Sequence, residues 1–555
     1  MSDQELSPLA QLVDELNAGR VSRRRFVATA TKLGLSAPLA AAVFGASVHG
    51  GGAAGRGTAP RVALDRQGGG KTLVVSFPQA TVQLDPAVAG SNGYGDIIPT
   101  NENIFEGLTR YKNGTAEIEP ALAESWTRAD DGLSYVFKIR PNVTFHDGTP
   151  LDAKAVETNF LRQLDENNPL HTEGMVYVEI VFADVASVAA TGDLELTVKL
   201  TRPTILLPAN LAIFAAGIAS PTALEQYKED FSQHAAGTGP FKLDHWTKDV
   251  ELVLVANDRY WGGRQPLDRI VFRTIPEDTV RVSELKTGGV DVANQIDFKD
   301  VADVQSDPNL QVITGTFFNV QFLSVNQTIA PFDNPAVRQA LQYAVNKQNI
   351  ADIVFYGNYT LGAGPVAPGL IGYDADLANT YPYDPDKAKA TLQQAGVTDV
   401  SFDLLNRSNS FWPLLGQLIQ ADLDAVGIKA NLQSLEDAEF FSQLATGKVA
   451  AFLNDWTWDN GDPDNIISSL FASDRATSRL GYKNQQVIDL TAQAQEEPDQ
   501  DKRAALYVQI QQQILADAVS VFLGYPARAV GATKKVQNLV LSPLGSLVLR
   551  GVDLA

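Results

Sequence analysis

Apolar and polar residues alternate in short runs along most of the chain, a pattern that predicts strands. These predicted strands are 71–77, 134–140, 194–200, 242–247, 251–256, 402–405 and 519–523. Segments between them have helical spacing, namely 103–107, a turn at 120–126, 153–164, 335–345, 386–395, 414–426 and 502–516. Asp152 is placed to cap the helix at 153–164. Strands and helices joined by short loops predict an α/β fold with helices covering the sheets.

The length and composition narrow the class of protein. A chain of 555 residues is long enough for about three domains. Its 45% hydrophobic and 20% charged residues are typical of globular proteins. The formal net charge of -21 argues against nucleic-acid binding, because that function needs a basic face. The absence of cysteine excludes disulfides, thiolate metal sites, a cysteine nucleophile and a lipid-modified N-terminal cysteine.

The N-terminal segment has the features of an export signal. The basic run Ser22–Phe26 (SRRRF) precedes an apolar stretch at 33–48, which is shorter than the roughly 20 residues that span a bilayer. Paired arginines followed by x-Phe resemble a twin-arginine signal, so we expect residues 1–50 to engage the twin-arginine export machinery. An ordinary secretory signal with an extra-basic start is the alternative. The Gly/Ala-rich stretch 51–70 predicts a flexible tether, and the fold should begin near Lys71.

A series of short motifs follows the tether in a fixed order. They are LDP at 84–86, the segment 103–111, PALAESW at 120–126, the block 130–161, GTGPF at 237–241, NDRYW at 257–261, ELKTGGVD at 284–291, NPAVRQAL at 334–341, YDPDKAK at 383–389 and the segment 422–428. Together they resemble the peptide/nickel family of ABC-transporter solute-binding proteins, family 5. Each motif is short, but the ordered set spans about 72–550 and is specific.

The resemblance implies a two-lobed periplasmic-binding-protein fold (type II, cluster C) with an extra inserted domain and a hinge. Domain I would comprise 71–110, 232–325 and 525–555, domain II 111–231, and domain III 326–524. Strands crossing between the lobes are expected at 323–326 and 523–527. Proteins of this kind trap a ligand by hinge closure.

The resemblance also implies a receptor without catalytic activity. We expect a monomeric, exported substrate-binding component of an ABC importer that captures dipeptides or short oligopeptides and delivers them to the membrane permease. We expect it on the periplasmic or outer side of the membrane, without a cysteine-linked lipid anchor. No cofactor, metal ligand or catalytic residue is predicted.

The stretch 453–465 (LNDWTWDNGDPDN) carries the most chemistry, with two tryptophans and four aspartates. It is similar to the ligand loop of the dipeptide-binding branch, where an aspartate at the position of Asp459 pairs with the peptide α-ammonium. A buried carboxylate needs such a fixed cation. Trp456, Trp458 and Asn460 are further candidates; at Trp458 the dipeptide branch usually has a small residue, so the indole would narrow the pocket or stack on a ligand ring. Asp462 and Asp464, in contrast, are expected to build turns and cap the next helix.

Four residues outside this loop are candidate ligand contacts. Arg407 lies in a strand-to-helix loop where dipeptide binders carry an arginine, and a guanidinium suits a peptide carboxylate. A solvated loop arginine is the alternative. Trp412 would line the same pocket or pack on its own helix. Tyr94 and Thr238 lie in segments that face the cleft in relatives, although GTGPF is also a fold-defining turn.

The same residues leave other ligands and other functions to consider. A sugar, an opine-like compound or a chelated metal would suit the same receptor fold, and tryptophan faces stack on sugars. An extracytoplasmic hydrolase has no local support, because the chain lacks a Gly-x-Ser-x-Gly motif. Its five histidines show no i, i+4 pair. GGGKT at 68–72 is not a phosphate loop, since it precedes a strand and lacks the first glycine.

Overall fold

The computed structural model describes residues 70–89, 94–409 and 411–555, together with seven single positions among the first 29 residues. The predicted export signal and tether therefore lie almost wholly outside the described residues. Among the helices in these ranges, none combines the length and the apolar composition that a bilayer-spanning segment needs.

The strands alternate with helices along the chain. In chain order the strands are β1 (Thr72–Phe77), β2 (Thr109–Tyr111), β3 (Ile118–Pro120), β4 (Ala123–Arg128), β5 (Ser134–Ile139), β6 (Val185–Gly192), β7 (Glu195–Leu200), β8 (Phe241–Thr247), β9 (Glu251–Ala256), β10 (Arg269–Thr274), β11 (Val292–Ala293), β12 (Leu310–Gly315), β13 (Asn319–Val325), β14 (Tyr359–Leu361), β15 (Ser401–Arg407), β16 (Lys429–Leu435), β17 (Ala451–Thr457), β18 (Ser520–Pro526), β19 (Arg528–Thr533), β20 (Val536–Gln537), β21 (Val540–Leu541), β22 (Leu547–Val548) and β23 (Asp553–Leu554).

Helices cover the faces of the sheets formed by these strands. The α-helices are Tyr94–Thr100, Ala153–Leu164, Val178–Val181, Leu207–Asn210, Pro221–Tyr227, Asp278–Thr287, Phe298–Ser306, Pro335–Ala344, Lys347–Ile353, Pro385–Gln394, Trp412–Ala425, Asp437–Ala445, Asp464–Leu470, Asp474–Leu480, Gln485–Glu496 and Gln500–Asp517. Short 3-10 helices are Phe214–Ala216, Lys228–His234 and Ala375–Asn379.

Three sheets organise the described chain. A seven-stranded sheet has the order β12-β19-β11-β1-β10-β9-β8 and therefore gathers strands from both ends of the chain. A four-stranded antiparallel sheet, β4-β5-β7-β6, stands apart from it. The third sheet has the order β14-β18-β13-β17-β15-β16. On β15, Leu404 and Leu405 point into two different hydrophobic clusters, so both faces of this sheet are buried. The α/β architecture predicted from the alternation is confirmed.

The chain crosses between the two large sheets at two places. One crossing is at 316–318, between β12 and β13, and the other is at Ala527, between β18 and β19. The second falls inside the predicted segment 523–527. The prediction of the first at 323–326 is wrong, because β13 pairs with β17 from Asn319 to Val325 and so already belongs to the six-stranded sheet.

Most of the elements predicted from local patterns have the expected boundaries to within a few residues, with two exceptions. The helix Ala153–Leu164 has the predicted bounds, and the Asp152 side chain accepts a hydrogen bond from the Ala155 N–H at 2.8 Å. The predicted helix at 103–107 is wrong: residues 103–104 form a turn, and Phe105 makes an isolated bridge with Asn101. Gly107 packs so closely on the Leu211 carbonyl that a Cβ would lie 2.5 Å from its oxygen.

The predicted helical turn at 120–126 is also wrong. Most of it belongs to β4, which pairs antiparallel with β5 across the tight turn at 130–132. The Trp126 and Phe137 rings lie 6.4 Å apart between centroids on this ribbon. Pairing and ring packing across the hairpin therefore outweigh the local helix preference of the PALAESW sequence.

Candidate ligand-binding site

A cleft of about 1280 Å³ lies between the seven-stranded and the six-stranded sheets. One wall comes from segments 278–303 and 526–529, and the other from segments 317–321, 353–356, 411–414 and Asp455. Both crossing segments border it, so the cleft opens at the place where the two halves of the molecule are joined. We call it the interlobe cleft.

The loop that follows β17, residues 458–465, is called the ligand loop here, and Asp459 is its distinctive group. The Asp459 carboxylate is partly buried and hydrogen bonds to the Asn465 side chain. Asn465 also accepts a hydrogen bond from Trp456 Nε1 at 2.7 Å. Burial raises the pKa of Asp459 to about 6. No lysine or arginine of the described ranges forms an ion pair with it.

Two other carboxylates of the ligand loop already have partners. Asp462 forms a bidentate ion pair with Arg503, with both N–O distances 2.8 Å, and both side chains are buried. Asp464 accepts hydrogen bonds from Ser468 Oγ at 2.7 Å and Gln495 Nε2 at 2.8 Å. These contacts fix the loop on the helices behind it.

The predicted turn in the loop is present, but the predicted side-chain cap is not. Asp462 Oδ1 accepts the Asp464 N–H at 2.9 Å, which builds the turn. The helix Asp464–Leu470 then begins after Pro463 with no side-chain cap. The N-cap residue is Pro463, so neither aspartate occupies that position, although Asp462 accepts the N–H of the first helical residue.

The ligand loop also contacts the segment that carries β2 and the helix Leu207–Asn210. The Gly461 N–H donates to Tyr111 Oη at 2.8 Å, and Asn460 Nδ2 donates to Asn210 Oδ1 at 2.8 Å. A Cβ at Gly461 would lie 2.9 Å from the Tyr111 ring. Asn460, a predicted ligand contact, is thus buried and bonded within the protein.

Arg407 ends β15 and lies beside β17. Its Nη2 donates to Asp455 Oδ1 at 2.5 Å, and Asn319 Nδ2 donates to Asp455 Oδ2 at 2.7 Å. The guanidinium carbon lies 4.4 Å from the Trp412 ring centroid and 6.0 Å from that of Phe441. Arg407 is therefore neither a solvated loop residue nor a free cation: Asp455, which sequence reasoning missed, holds it.

The remaining predicted site residues lie in different environments. Trp412 and Trp458 are 2% and 1% exposed and pack in the two hydrophobic clusters of the six-stranded sheet. Trp456 is partly buried and is joined to Asp459 through Asn465. Tyr94 begins the helix Tyr94–Thr100, and its side chain lies outside the described part of the chain.

Thr238 belongs to a buried network around Glu106. Its Oγ1 donates to Glu106 Oε2 at 2.9 Å. Tyr260 Oη and Trp261 Nε1 donate to the same carboxylate at 2.7 and 2.8 Å. Burial raises the pKa of Glu106 despite these three donors. Thr238, Tyr260 and Trp261 thus join the GTGPF and NDRYW segments to Glu106, and Thr238 is held within the protein.

Comparison with known proteins gives a consistent result. The model of the bacterial extracellular solute-binding proteins, family 5 Middle, matches residues 117–478. Heme-binding protein A of Haemophilus influenzae is 31% identical, over 87% of this chain and 92% of its own length. The dipeptide-binding protein of Escherichia coli is 31% identical, over 86% and 93%.

A solved structure supports the same assignment. The periplasmic binding protein DppA of Helicobacter pylori, in complex with the peptide STSA, is 30% identical with a TM-score of 0.73, over 87% of this chain and 98% of that one. This likeness confirms the predicted periplasmic-binding-protein fold. The chain belongs to the bacterial extracellular solute-binding proteins of family 5, and it is a binding protein rather than an enzyme.

Proposed function

We propose that this protein is the receptor of an ABC importer and that it captures peptides with a free N-terminus, whose α-ammonium is bound by Asp459. The observation that carries the proposal is a partly buried carboxylate that has no cationic partner in the described structure. Its raised pKa reflects an energetic cost of ionisation that a ligand cation would remove.

An α-ammonium is suited to this position by charge and geometry. It offers up to three N–H donors to one carboxylate, and charge-assisted hydrogen bonds are about twice as strong as neutral ones. Asn465 and Trp456 fix the orientation of the carboxylate before the ligand arrives. A pre-oriented acceptor lowers the entropy cost of binding. Relatives named for dipeptide binding in Escherichia coli and solved with a peptide in Helicobacter pylori support a peptide ligand.

The two crossing segments support a hinge, and the interlobe cleft supports closure around the ligand. In this proposal the closed receptor delivers its peptide to the membrane permease and acts as a monomer. The run Ser22–Phe26 supports export by the twin-arginine machinery to the periplasmic or outer side of the membrane.

A sugar ligand has less support, because two of its three candidate stacking rings, those of Trp412 and Trp458, are buried in hydrophobic clusters. Sugars, opine-like compounds and nickel therefore enter as comparison ligands in the test.

The test is a thermal-shift panel of free di- to tetrapeptides, their N-acetylated forms, oligosaccharides, opine-like compounds and nickel. A ligand at 100 times its Kd stabilises the folded protein by about 2.7 kcal/mol. We expect that stabilisation with free peptides and its loss on N-acetylation. Equal stabilisation by acetylated and free peptides would refute the ammonium anchor. A response confined to sugars, opines or nickel would refute the peptide ligand.

A further inference from the structure

The ligand loop and the strand before it hold a charge arrangement that bears on which peptides fit. Asp455 and Arg407 form an ion pair at 2.5 Å, and Asn319 holds the second oxygen of the carboxylate. Asp459 lies four residues further along the chain, and no cationic side chain of the described residues forms an ion pair with it. The three charged groups therefore sum to one net negative charge.

The position of Asp455 brings the pair within reach of a short ligand. Asp455 lines the interlobe cleft and its side chain is 25% exposed. Four residues of chain span at most about 14 Å, so a peptide anchored at Asp459 extends into the neighbourhood of Asp455 within a few residues. Trp456 directly follows Asp455 in the chain, and its indole N–H donates to Asn465, which in turn hydrogen bonds to Asp459.

We propose that Asp455 is a specificity residue: it occupies the place on Arg407 that a ligand carboxylate would take, and it makes the receptor select oligopeptides over free dipeptides. This inference rests on the proposed function of Asp459. A free dipeptide would bring its carboxylate to a guanidinium that Asp455 already neutralises, next to two carboxylates of the protein. Like charges in a partly desolvated site repel strongly.

An oligopeptide avoids this repulsion. Past its second residue it continues as a neutral amide, and its terminal carboxylate lies further from Asp455. The partly exposed Asp455 carboxylate can accept the amide N–H. Asp455 thus offers an acceptor, and no further repulsion, to a neutral peptide group.

The experiment is isothermal titration calorimetry at pH 7 with Ala-Phe, Ala-Phe-amide and Ala-Phe-Ala. At this pH Asp459, with a pKa of about 6, is mostly ionised. We expect the wild type to bind the amide and the tripeptide at least tenfold more tightly than the free dipeptide. Asp455→Asn should cut this ratio tenfold or reverse it, because Arg407 is then free for the ligand carboxylate.

Two further variants make the outcome specific. Asp403→Asn removes the same charge from an exposed position on β15, where Asp403 accepts from Asn431 at 3.2 Å, and it should leave the ratio unchanged. Asp455→Asn combined with Arg407→Gln should lose the gain for Ala-Phe. The carboxamide introduced by Asp455→Asn keeps an oxygen acceptor for Asn319, and a circular-dichroism melt checks that the variants fold.

Each result decides between the two proposals. If the wild type binds Ala-Phe as tightly as the amide, or if Asp455→Asn leaves the ratio unchanged, the role of Asp455 is refuted while peptide capture stands. If N-acetylated peptides bind as well as free peptides in the thermal-shift panel, the Asp459 anchor is refuted instead. If none of the three peptides binds, both proposals fail.

Discussion

Four aspartates lie within ten residues, and their partners give them different tasks. Asp455 is paired with Arg407 and Asp462 with Arg503, so both are neutralised inside the protein. Asp459 differs because no cation of the described chain compensates it. A desolvated, unpaired carboxylate destabilises the unliganded fold, and a ligand cation would remove that cost.

Asp459→Asn is expected to stabilise the unliganded protein while weakening peptide binding. The folded-state pKa of Asp459 is raised above the unfolded value, so its stabilising contribution is complete below pH 3.8 and is lost as the pH rises through about 6. At pH 8 the variant should therefore gain about 1–2 kcal/mol in the free energy of unfolding. Urea unfolding at pH 4 and pH 8 measures this.

The comparison variant for this gain is Asp403→Asn, which changes an exposed carboxylate on β15. It should leave the free energy of unfolding within about 0.5 kcal/mol of wild type at both pH values. A gain for Asp459→Asn that is as large at pH 4 as at pH 8 would contradict the titration argument.

Peptide affinity should fall on acidification because only the ionised Asp459 attracts an ammonium. Below pH 6 the unliganded carboxyl takes up a proton that the ligand must displace, so Kd should rise up to about tenfold per pH unit. Calorimetric titrations between pH 4.5 and 8 measure the slope. A Kd that does not change over this pH range would show that Asp459 does not bind the ammonium group.

Some of these residues could be singled out from the sequence, and others could not. Asp459 and Arg407 stood out because they lie in motifs that resemble ligand loops of a known family. The partners of Arg407 and Asp462 lie 48 and 41 residues away along the chain, and nothing in the local pattern marks either pairing. Trp458 could not be placed either, because an indole in a loop fits a pocket and a core equally well.

The ligand loop is rigid because other elements hold it from two sides. Behind it, Arg503 on the helix Gln500–Asp517 binds Asp462 and also donates to the Ala494 carbonyl at 2.8 Å. In front, Gly461 and Asn460 contact Tyr111 and Asn210. A site built on a strand end and fixed in this way keeps its carboxylate in one orientation.

Arg503→Met should destabilise the protein by about 3–5 kcal/mol, because it leaves the buried Asp462 without its cation. Lys502→Met changes the neighbouring exposed side chain of the same helix and should cost less than about 0.5 kcal/mol. Chemical denaturation of both variants gives the difference. Equal stabilities would mean that the ion pair contributes nothing to holding the loop.

Gly461→Ala should loosen the front contact of the loop. The added methyl group would lie 2.9 Å from Tyr111 Cε1 and 3.0 Å from Ala116 Cβ, and such overpacking costs about 1–3 kcal/mol. In Gly192→Ala the new Cβ meets its nearest atom at an ordinary 3.5 Å, so that variant is the control. Gly461→Ala should differ from Gly192→Ala in thermal melts and in peptide titrations. A Gly461→Ala protein with wild-type stability would contradict the packing argument.

Element prediction succeeded where the determining interactions are local. The Asp152 cap fixed the start of one helix in sequence and in structure alike. It failed at 103–107 and 120–126, where close backbone approach to Leu211 and pairing with β5 decide the conformation. The first crossing was misplaced for a related reason, since the extent of β13 depends on its pairing with β17.

In the proposed function, the molecule as a whole moves between open and closed arrangements about its two crossings. Ala527 in the second crossing is tied back by its N–H to the Asn358 carbonyl at 3.0 Å, and Tyr359 Oη donates to Gln321 Oε1 at 2.9 Å. Gln321 and Ala527 line the interlobe cleft, so these contacts lie beside the crossings. A ligand shifts such a balance only through its different affinity for the two states.

Small-angle X-ray scattering should therefore detect closure by peptide in the wild type and much less closure in Asp459→Asn. Moving a population from 1% to 99% closed needs about 5.5 kcal/mol of differential binding. Removing one partner of a desolvated charge pair costs about 3 kcal/mol or more. With about 2.5 kcal/mol left, less than half of the saturated variant would be closed. Asp403→Asn should close like the wild type. Full closure of Asp459→Asn at saturating peptide would show that other contacts between ligand and protein drive closure, because the hinge responds only to contacts that differ between its two states.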